Sequence, residues 1–256
     1  FGIGITSIGL SLGFAIIMGI CTVLGSTIPM LRRWAAIPSD ARVIILLGIL
    51  ICIAGVAICG RAGMLREHEG DSESSSGAKK RKAFVVGLIW CILSGLFSSC
   101  ANLGFDFAEP IGKEAARMGL SPLFSPLPRW LPMFFGGYTA IFVFMFAAIM
   151  KKRAWDRYMG PGAGRDFGLA ALMGVLQFLG MTFYGMATFY LGARVGTTVG
   201  YAVNIASSII VANFLGFLTG EWRKASRLSI RTLYLGLGVL ILSVVILAIG
   251  NSLVLG

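Results

Sequence analysis

The chain has 256 residues, of which 57% are hydrophobic and only 13% are charged. Soluble globular domains carry about 25% charged residues, so this composition excludes a soluble fold and indicates a polytopic membrane protein. The net charge of +11 does not indicate nucleic-acid binding, because the Lys and Arg residues lie in short clusters beside apolar runs, where they set membrane topology.

Seven apolar runs are long enough to cross a bilayer as helices, which requires about 20 mostly apolar residues. Their length and Gly-rich composition favour helices over the strands of a β-barrel. We therefore expect an all-α polytopic membrane protein with seven transmembrane helices. The predicted spans are 5–30, 43–64, 83–107, 130–150, 168–191, 195–219 and 232–254.

Two connections between these spans are informative. Residues 66–82 are rich in Ser, Gly and charge, which predicts a solvated linker, and the excess of Lys and Arg on its side of the membrane predicts a cytoplasmic position. The stretch "PIGKEAARMGLSP" begins at Pro110 and reaches Gly119, so it is predicted to form a short interfacial helix.

Two parts of the sequence resemble each other. "LLGILICIAGVAICG" (46–60) matches "GLGVLILSVVILAIG" (236–250), and the helices that precede them are also alike. The first two helices therefore look like the last two, whereas the third to fifth have no earlier counterpart. The pattern indicates a ten-helix, 5+5 inverted-repeat transporter whose first three helices precede this chain. Chance similarity between Gly- and Leu-rich helices is the alternative.

This interpretation divides the chain into three parts. Residues 1–65 would hold the last two helices of the first repeat, residues 66–82 the polar cytoplasmic linker, and residues 83–256 the second five-helix repeat. In transporters built from inverted repeats the binding site lies at the repeat interface, near the middle of the membrane.

Polar residues of the third span recur at every fourth position, as Ser94, Ser98, Asn102 and Asp106. At 3.6 residues per turn they form one nearly straight stripe along the helix. A polar stripe that faces lipid is costly, so we expect this one to face protein or water. The serines are expected to join helices by hydrogen bonds, whereas Asn102 and Asp106 are candidates for the lining of a cavity.

Asp106 is the candidate for proton coupling. It lies near a helix C-terminus, where the negative end of the helix dipole and partial burial both disfavour a charged carboxylate. A carboxyl group in such a place can load and release a proton, as a proton-coupled transporter requires. The alternative is an interfacial aspartate that only marks the helix end. The neighbouring Glu109 is expected to be solvated or paired with Lys113.

Candidate substrate-binding residues lie on three helices. Gln177 and Tyr184 share one face of the fifth span, and Tyr201 and Asn204 share one face of the sixth. Together with Asn102 they can hydrogen-bond hydroxyl groups, while aromatic rings stack on the apolar faces of a sugar. These polar stripes carry few charges, which favours a neutral polar solute over an ion or an anion.

Glu221, in "LTGEW", follows the sixth span at the predicted cytoplasmic boundary. One interpretation makes it an interfacial anchor beside Trp222, because aromatic residues collect at membrane interfaces. The other makes it the acidic half of a salt bridge that gates the transport pathway.

The sequence gives no indication of catalysis. All five cysteines lie inside apolar runs, and the single histidine, His68, lies in a polar stretch, which argues against a metal site and against His-based chemistry. No Ser-His-Asp set, P-loop or dinucleotide fingerprint occurs in the sequence. We therefore expect no enzyme activity, no cofactor, no metal ion and no nucleic-acid partner.

Four stretches carry a family resemblance: "LGILICIAGVAICGRAG", "LSGLFSSCANLGFDFAEPIGKEAARMGLSPLFSPLP", "GVLQFLGMTFYGMATFYLG" and "FLTGEW". In this order they resemble the L-rhamnose–proton symporter family of the drug/metabolite transporter superfamily. The resemblance implies a ten-helix symporter of the bacterial inner membrane that uses the proton gradient to import a sugar. It also implies that this chain is truncated by three helices at its N-terminus.

The expected function is the proton-coupled import of L-rhamnose or a related neutral sugar, with protons, the sugar and the lipid bilayer as partners. Two alternatives stay open at this point. The chain could transport another small metabolite, or it could be an incomplete membrane fragment that does not transport.

Overall fold

The computed structural model describes residues 2–70, 77–152, 160, 162–223 and 225–255. Within these ranges the chain forms helices and turns and no β-strand, which confirms the predicted all-α class. The α-helices are α1 (Gly2–Ile8), α2 (Leu10–Arg32), α3 (Ser39–Gly70), α4 (Gly77–Phe107), α5 (Glu109–Arg117), α6 (Leu131–Met133), α7 (Thr139–Lys152), α8 (Ala163–Tyr190), α9 (Gly196–Leu218) and α10 (Arg227–Leu255).

Seven helical segments of the described chain are long and apolar enough to cross a membrane, which confirms the predicted number. The protein is therefore a multi-pass membrane protein. The segments are Leu10–Arg32, Ser39–Arg66, Phe84–Arg117, Leu127–Lys151, Ala163–Tyr190, Gly196–Leu218 and Arg227–Leu255.

The ends of the helices differ from the sequence-based bounds in two places. The first predicted span is interrupted at Gly9, whose φ of 94° lies in the left-handed region that glycine tolerates, so α1 ends before α2 begins. The helices α3 and α4 extend into the polar stretch 66–82, because its Glu, Lys and Arg residues are good helix formers. Residues 71–76 of that stretch lie outside the described residues.

The described chain forms two compact units. The first comprises the residues up to Leu103 and those from Leu191 onward, and the second comprises Gly104–Tyr190. The helix α4 contributes its last turn to the second unit. These units reflect packing, whereas the expected division into 1–65, 66–82 and 83–256 concerns repeats and stays a prediction.

The antiparallel pair of α3 and α10 forms the centre of the first unit. A small residue of one helix faces a large residue of the other: a Cβ on Gly48 would lie 2.8 Å from Leu247 Cδ2, and one on Gly250 would lie 2.7 Å from Ile45 Cγ1. The glycines therefore allow the two backbones to approach closely, as small residues do in membrane helix pairs. The pairs along this seam are Ile45 with Gly250, Gly48 with Leu247, Gly55 with Leu240 and Cys59 with Gly236.

The helices α2 and α9 pack on each other and on the seam. Tyr201 of α9 lies over Gly25 of α2, where any Cβ would collide with the tyrosine ring. The Tyr201 hydroxyl lies 2.8 Å from Cys21 Sγ, within hydrogen-bond distance. Tyr201 also packs against a cluster of buried apolar residues from α3, α9 and α10, which includes Cys52, Val56, Ile205 and Leu240.

The second unit begins with the last turn of α4 and continues through α5 and a proline-rich loop. The helix α5 has Pro110 in its first turn, and Gly119 follows it with a φ of 97°, which confirms the predicted short helix. The two long segments of this unit, Leu127–Lys151 and Ala163–Tyr190, expose mostly apolar side chains. Such a surface suits contact with lipid, since the bilayer core offers no water to be displaced.

Candidate functional site

Asp106 lies in the second unit at the end of α4, and only 1% of its surface is exposed. The carboxylate of Asp106 and the guanidinium of Arg129 both interact electrostatically with the Tyr184 hydroxyl. A buried ionisable side chain in a membrane-spanning segment is costly, and such residues commonly serve an ion or proton pathway. The burial of Asp106 therefore favours a site inside the protein over an aspartate that marks the water interface.

Three aromatic rings pack together beside Asp106. The ring of Phe105 lies 4.5 Å from that of Trp130 and 5.4 Å from that of Tyr184, measured between centroids. The Trp130 indole nitrogen donates a hydrogen bond of 3.3 Å to the carbonyl of Met181. We call Phe105, Trp130 and Tyr184 the aromatic cluster. It holds Tyr184, a sequence-predicted substrate residue, in a tightly packed position with its ring buried.

Arg129 is a functional candidate that the sequence analysis missed. Its guanidinium carbon lies 5.3 Å from the centroid of the Phe105 ring, in a cation–π arrangement. Gly112 of α5 makes room for it, because a Cβ there would lie 2.7 Å from Arg129 Nε. The sequence signal was its place in "LPRW", at the start of a span, where a basic residue reads as an interfacial anchor.

Glu109 has a basic partner on its own helix. Its carboxylate forms a salt bridge of 2.9 Å with Lys113, one turn along α5, which is one of the two expected alternatives.

Asn102, in the first unit, has 1% of its surface exposed. Its side-chain nitrogen donates to the carbonyl of Gly25 on α2 at 2.7 Å and to the carbonyl of Thr197 on α9 at 3.2 Å. Arg33 donates a hydrogen bond of 3.4 Å to the Thr197 hydroxyl. This amide therefore joins three helices, a structural role that the polar stripe of α4 did not reveal.

The other sequence-predicted substrate residues occupy different surroundings. Tyr201 contacts Gly25 and Cys21 in the helix interface described above. Asn204, on the same helix, is exposed, and so is Gln177 in the second unit. Asn102, Tyr201 and Asn204 are not among the residues that line the cavity described below.

Glu221 has a basic partner in the first unit. Its carboxylate lies 3.5 Å from Arg66 Nη1, and the Arg66 guanidinium carbon lies 4.7 Å from the centroid of the Trp222 ring. Both interpretations of Glu221 thus have a structural counterpart: it adjoins an interfacial tryptophan and it forms an ion pair. The sequence could not identify Arg66, because the two residues are far apart along the chain.

A cavity of about 290 Å³ adjoins this ion pair. Its walls come from α2, α3, α9 and the turn after α9, all in the first unit. Apolar side chains form most of the wall, and polar groups come from Ser11, Arg66, Asn213 and Glu221. Among the described residues, no group of His, Cys, Asp and Glu side chains is arranged to hold a metal ion.

Comparison with known proteins assigns the chain to a family. The family model for the L-rhamnose-proton symport protein (RhaT) matches residues 1–253. The chain is 26% identical to the L-rhamnose-proton symporter of Cronobacter sakazakii, over 98% of this chain and 74% of that protein. Its identity to the proteins of the same name from Escherichia coli and Klebsiella pneumoniae is 25%, over the same shares. No solved structure matches the chain. Because the family model spans nearly the whole chain, this protein belongs to the L-rhamnose-proton symport protein family, which is a family of transporters and not of enzymes.

Proposed function

We propose that this chain is a proton-coupled symporter that imports L-rhamnose or a related neutral sugar across the bacterial inner membrane. The observation that carries the proposal is the buried Asp106 carboxylate in a membrane-spanning segment of a chain that belongs to the RhaT family. The curated relatives named L-rhamnose-proton symporter support both the sugar and the coupling ion.

Asp106 would carry the coupled proton. Tyr184 interacts electrostatically with Asp106 and with Arg129, so binding or release of a proton on Asp106 would change the charge that acts on Tyr184. A carboxylate that alternates between two protonation states supplies the charge change that a two-state transporter needs.

The sugar would be bound by polar side chains of the membrane-spanning helices. Asn102, Gln177, Tyr184, Tyr201 and Asn204 remain the candidates proposed from sequence. Among them, Tyr184 combines a buried ring with a hydroxyl group, which suits a sugar that has one apolar face and several hydroxyl groups.

The chain would be part of a ten-helix, 5+5 inverted-repeat architecture. Two observations support this: the last two helices echo the first two in sequence, and α3 packs antiparallel on its echo α10. Elements related by an inverted repeat run in opposite directions, as these two helices do.

Glu221 and Arg66 would form a gate at the cytoplasmic end of the first unit. The Glu221 side chain is 61% exposed and that of Arg66 is 24% exposed, so water can reach the pair and the contact can break at small cost. A gate requires such a reversible contact.

The test is uptake of labelled L-rhamnose into membrane vesicles that contain the chain. We expect accumulation when the pH outside is lower than inside, and only equilibration when the gradient is absent or dissipated by a protonophore. Accumulation that ignores the gradient would reject proton coupling. Competition by an unrelated metabolite, with none by L-rhamnose, would reject the sugar as substrate.

A further inference from the structure

The cavity beside the Arg66–Glu221 ion pair has no role among the functions discussed so far. We propose that it is a binding site for a neutral monosaccharide, held by Asn213, Arg66, Glu221 and Trp222. This inference rests on the proposed transport function, and it places the sugar against residues other than those predicted from sequence.

The size of the cavity fits a small solute. Its volume of about 290 Å³ lies at the lower limit of the roughly 300–1,000 Å³ that is typical of small-molecule sites. A site of this size suits a single sugar ring better than a nucleotide or an oligosaccharide.

Glycines define the closed side of the cavity. A Cβ on Gly60 would collide with Ala15, and one on Gly63 would collide with Ser11, so α3 and α2 touch directly at these positions. The remaining space lies between this contact and α9, where Ala212 contributes only a methyl group to the wall. The cavity is thus bounded by close backbone packing, which larger residues at these glycines would disrupt.

The polar groups of the cavity suit hydroxyl groups without selecting a charge. The carboxylate of Glu221 and the guanidinium of Arg66 oppose each other at 3.5 Å, so their charges largely cancel for a ligand beside them. The side-chain nitrogen of Asn213 donates to the carbonyl of Ile209 at 2.8 Å, and its oxygen keeps its capacity to accept from a hydroxyl group. Planar groups of these three kinds can each contact two neighbouring hydroxyls of a sugar.

The walls match the apolar part of a sugar. Trp222, which is buried, and Phe14 both line the cavity, so C–H groups of a sugar ring would meet aromatic surface. Phe14 and Leu10 are also partly exposed, which makes a lipid acyl chain the competing occupant. An acyl chain would leave Asn213 and the ion pair without new partners, and the polar end of the cavity therefore favours the sugar.

The experiment places a reporter thiol in the wall. Ala212→Cys lines the cavity, and Ser121→Cys is an exposed control outside the membrane-spanning segments. Both are made in a chain whose five native cysteines are replaced and which is shown to retain uptake. Alkylation by N-ethylmaleimide is measured with and without L-rhamnose. We expect L-rhamnose to slow the alkylation of the Ala212→Cys thiol several-fold and to leave that of the Ser121→Cys thiol unchanged.

A second measurement keeps the native cysteines in place and needs no reporter thiol. Equilibrium binding of labelled L-rhamnose to the purified full chain is compared for Asn213→Leu and for Ser207→Leu. Loss of one or two hydrogen bonds predicts about a tenfold weaker binding for Asn213→Leu, and Ser207→Leu should bind as the wild type does.

The outcomes separate this inference from the proposed function. Suppose that the wild type accumulates L-rhamnose, but that the sugar does not protect the Ala212→Cys thiol and Asn213→Leu binds it normally. The site assignment is then overturned and the transport function stands. Weaker binding in Asn204→Leu with normal binding in Asn213→Leu would also overturn it. Protection by a fatty acid but not by L-rhamnose would identify an acyl-chain site. A wild type that neither binds nor accumulates L-rhamnose would reject the proposed function and this inference together.

Discussion

Gly55 of α3 lies directly against Leu240 of α10: a Cβ on Gly55 would lie 2.8 Å from Leu240 Cδ2 and 3.1 Å from the Leu240 backbone nitrogen. The leucine fills the groove that the missing side chain leaves. Because the backbone nitrogen cannot move as a flexible side chain can, a larger residue at Gly55 must push the two helices apart.

We predict that Gly55→Leu destabilises the protein by about 1–3 kcal/mol, the usual cost of overpacking a close interface. The measurement is thermal unfolding in detergent. Gly238→Leu is the matched control, because Gly238 lies on α10 and has no neighbouring atom within 4 Å of its Cβ position. Equal melting temperatures for the two variants would contradict the seam described here.

Asn102 provides a second stability prediction. Replacing it with Ala removes two hydrogen bonds to the carbonyls of Gly25 and Thr197 and leaves both carbonyls buried without that donor. We expect a loss of about 2–4 kcal/mol, at about 1–2 kcal/mol for each bond. Ser94→Ala, eight residues earlier on the same stripe, is the control. An Asn102→Ala chain that unfolds at the wild-type temperature but has lost sugar binding would favour a direct substrate role.

The number of spans could be predicted from sequence because hydropathy and helix length are local properties. The polar stripe of α4 was also predictable, since helical periodicity places Asn102 and Asp106 on one face. The partners of Asn102 were not predictable. Gly25 and Thr197 come from distant parts of the chain, and only the packing of the helices decides which backbone carbonyls lie near the stripe.

The same limit applies to the ion pair. Glu221 could be singled out because a charged residue beside an apolar run is unusual, but its partner could not. Arg66 lies in a polar stretch with several basic residues, and from the sequence each of them was an equally good candidate to pair with Glu221. The interruption at Gly9 was missed for a different reason. Glycine is common in membrane helices, and the amino-acid sequence does not tell which glycine will adopt a positive φ.

Tyr184 allows ring packing to be separated from hydrogen bonding. Tyr184→Phe keeps the contacts with Phe105 and Trp130 and loses only the interactions of the hydroxyl, so we expect a small loss of stability, of about 1 kcal/mol. Tyr184→Ala removes one ring from the aromatic cluster and leaves a cavity, which should lower the free energy of unfolding by about 3–5 kcal/mol. If the hydroxyl contacts the sugar, Tyr184→Phe should also weaken sugar binding by about tenfold. Unchanged binding in Tyr184→Phe would restrict Tyr184 to packing and to electrostatics beside Asp106.

Asp106→Asn is the decisive variant for proton coupling. An amide has the shape of a protonated carboxyl but cannot release a proton, so the variant should exchange sugar across the membrane while failing to accumulate it against a gradient. Both activities are measured in the same vesicles, by counterflow and by uptake driven by a pH gradient. Asp166→Asn, at an exposed position at the start of α8, is the control and should behave as the wild type does. Undiminished accumulation by Asp106→Asn would remove Asp106 from the coupling mechanism.

The Arg66–Glu221 pair can be tested by reversing its charges. Arg66→Glu places two carboxylates together and Glu221→Arg places two guanidinium groups together, so each single variant should transport more slowly than the wild type. The double variant restores opposite charges and should recover part of the rate. Because Arg66 also lies over the Trp222 ring, a contact that glutamate cannot make, the recovery should be incomplete. The exposed Arg117–Glu114 pair of α5 is the control, and its single reversals should leave uptake unchanged. A double variant no faster than the slower single variant would show that the two charges act independently, and the pair would then not be a gate.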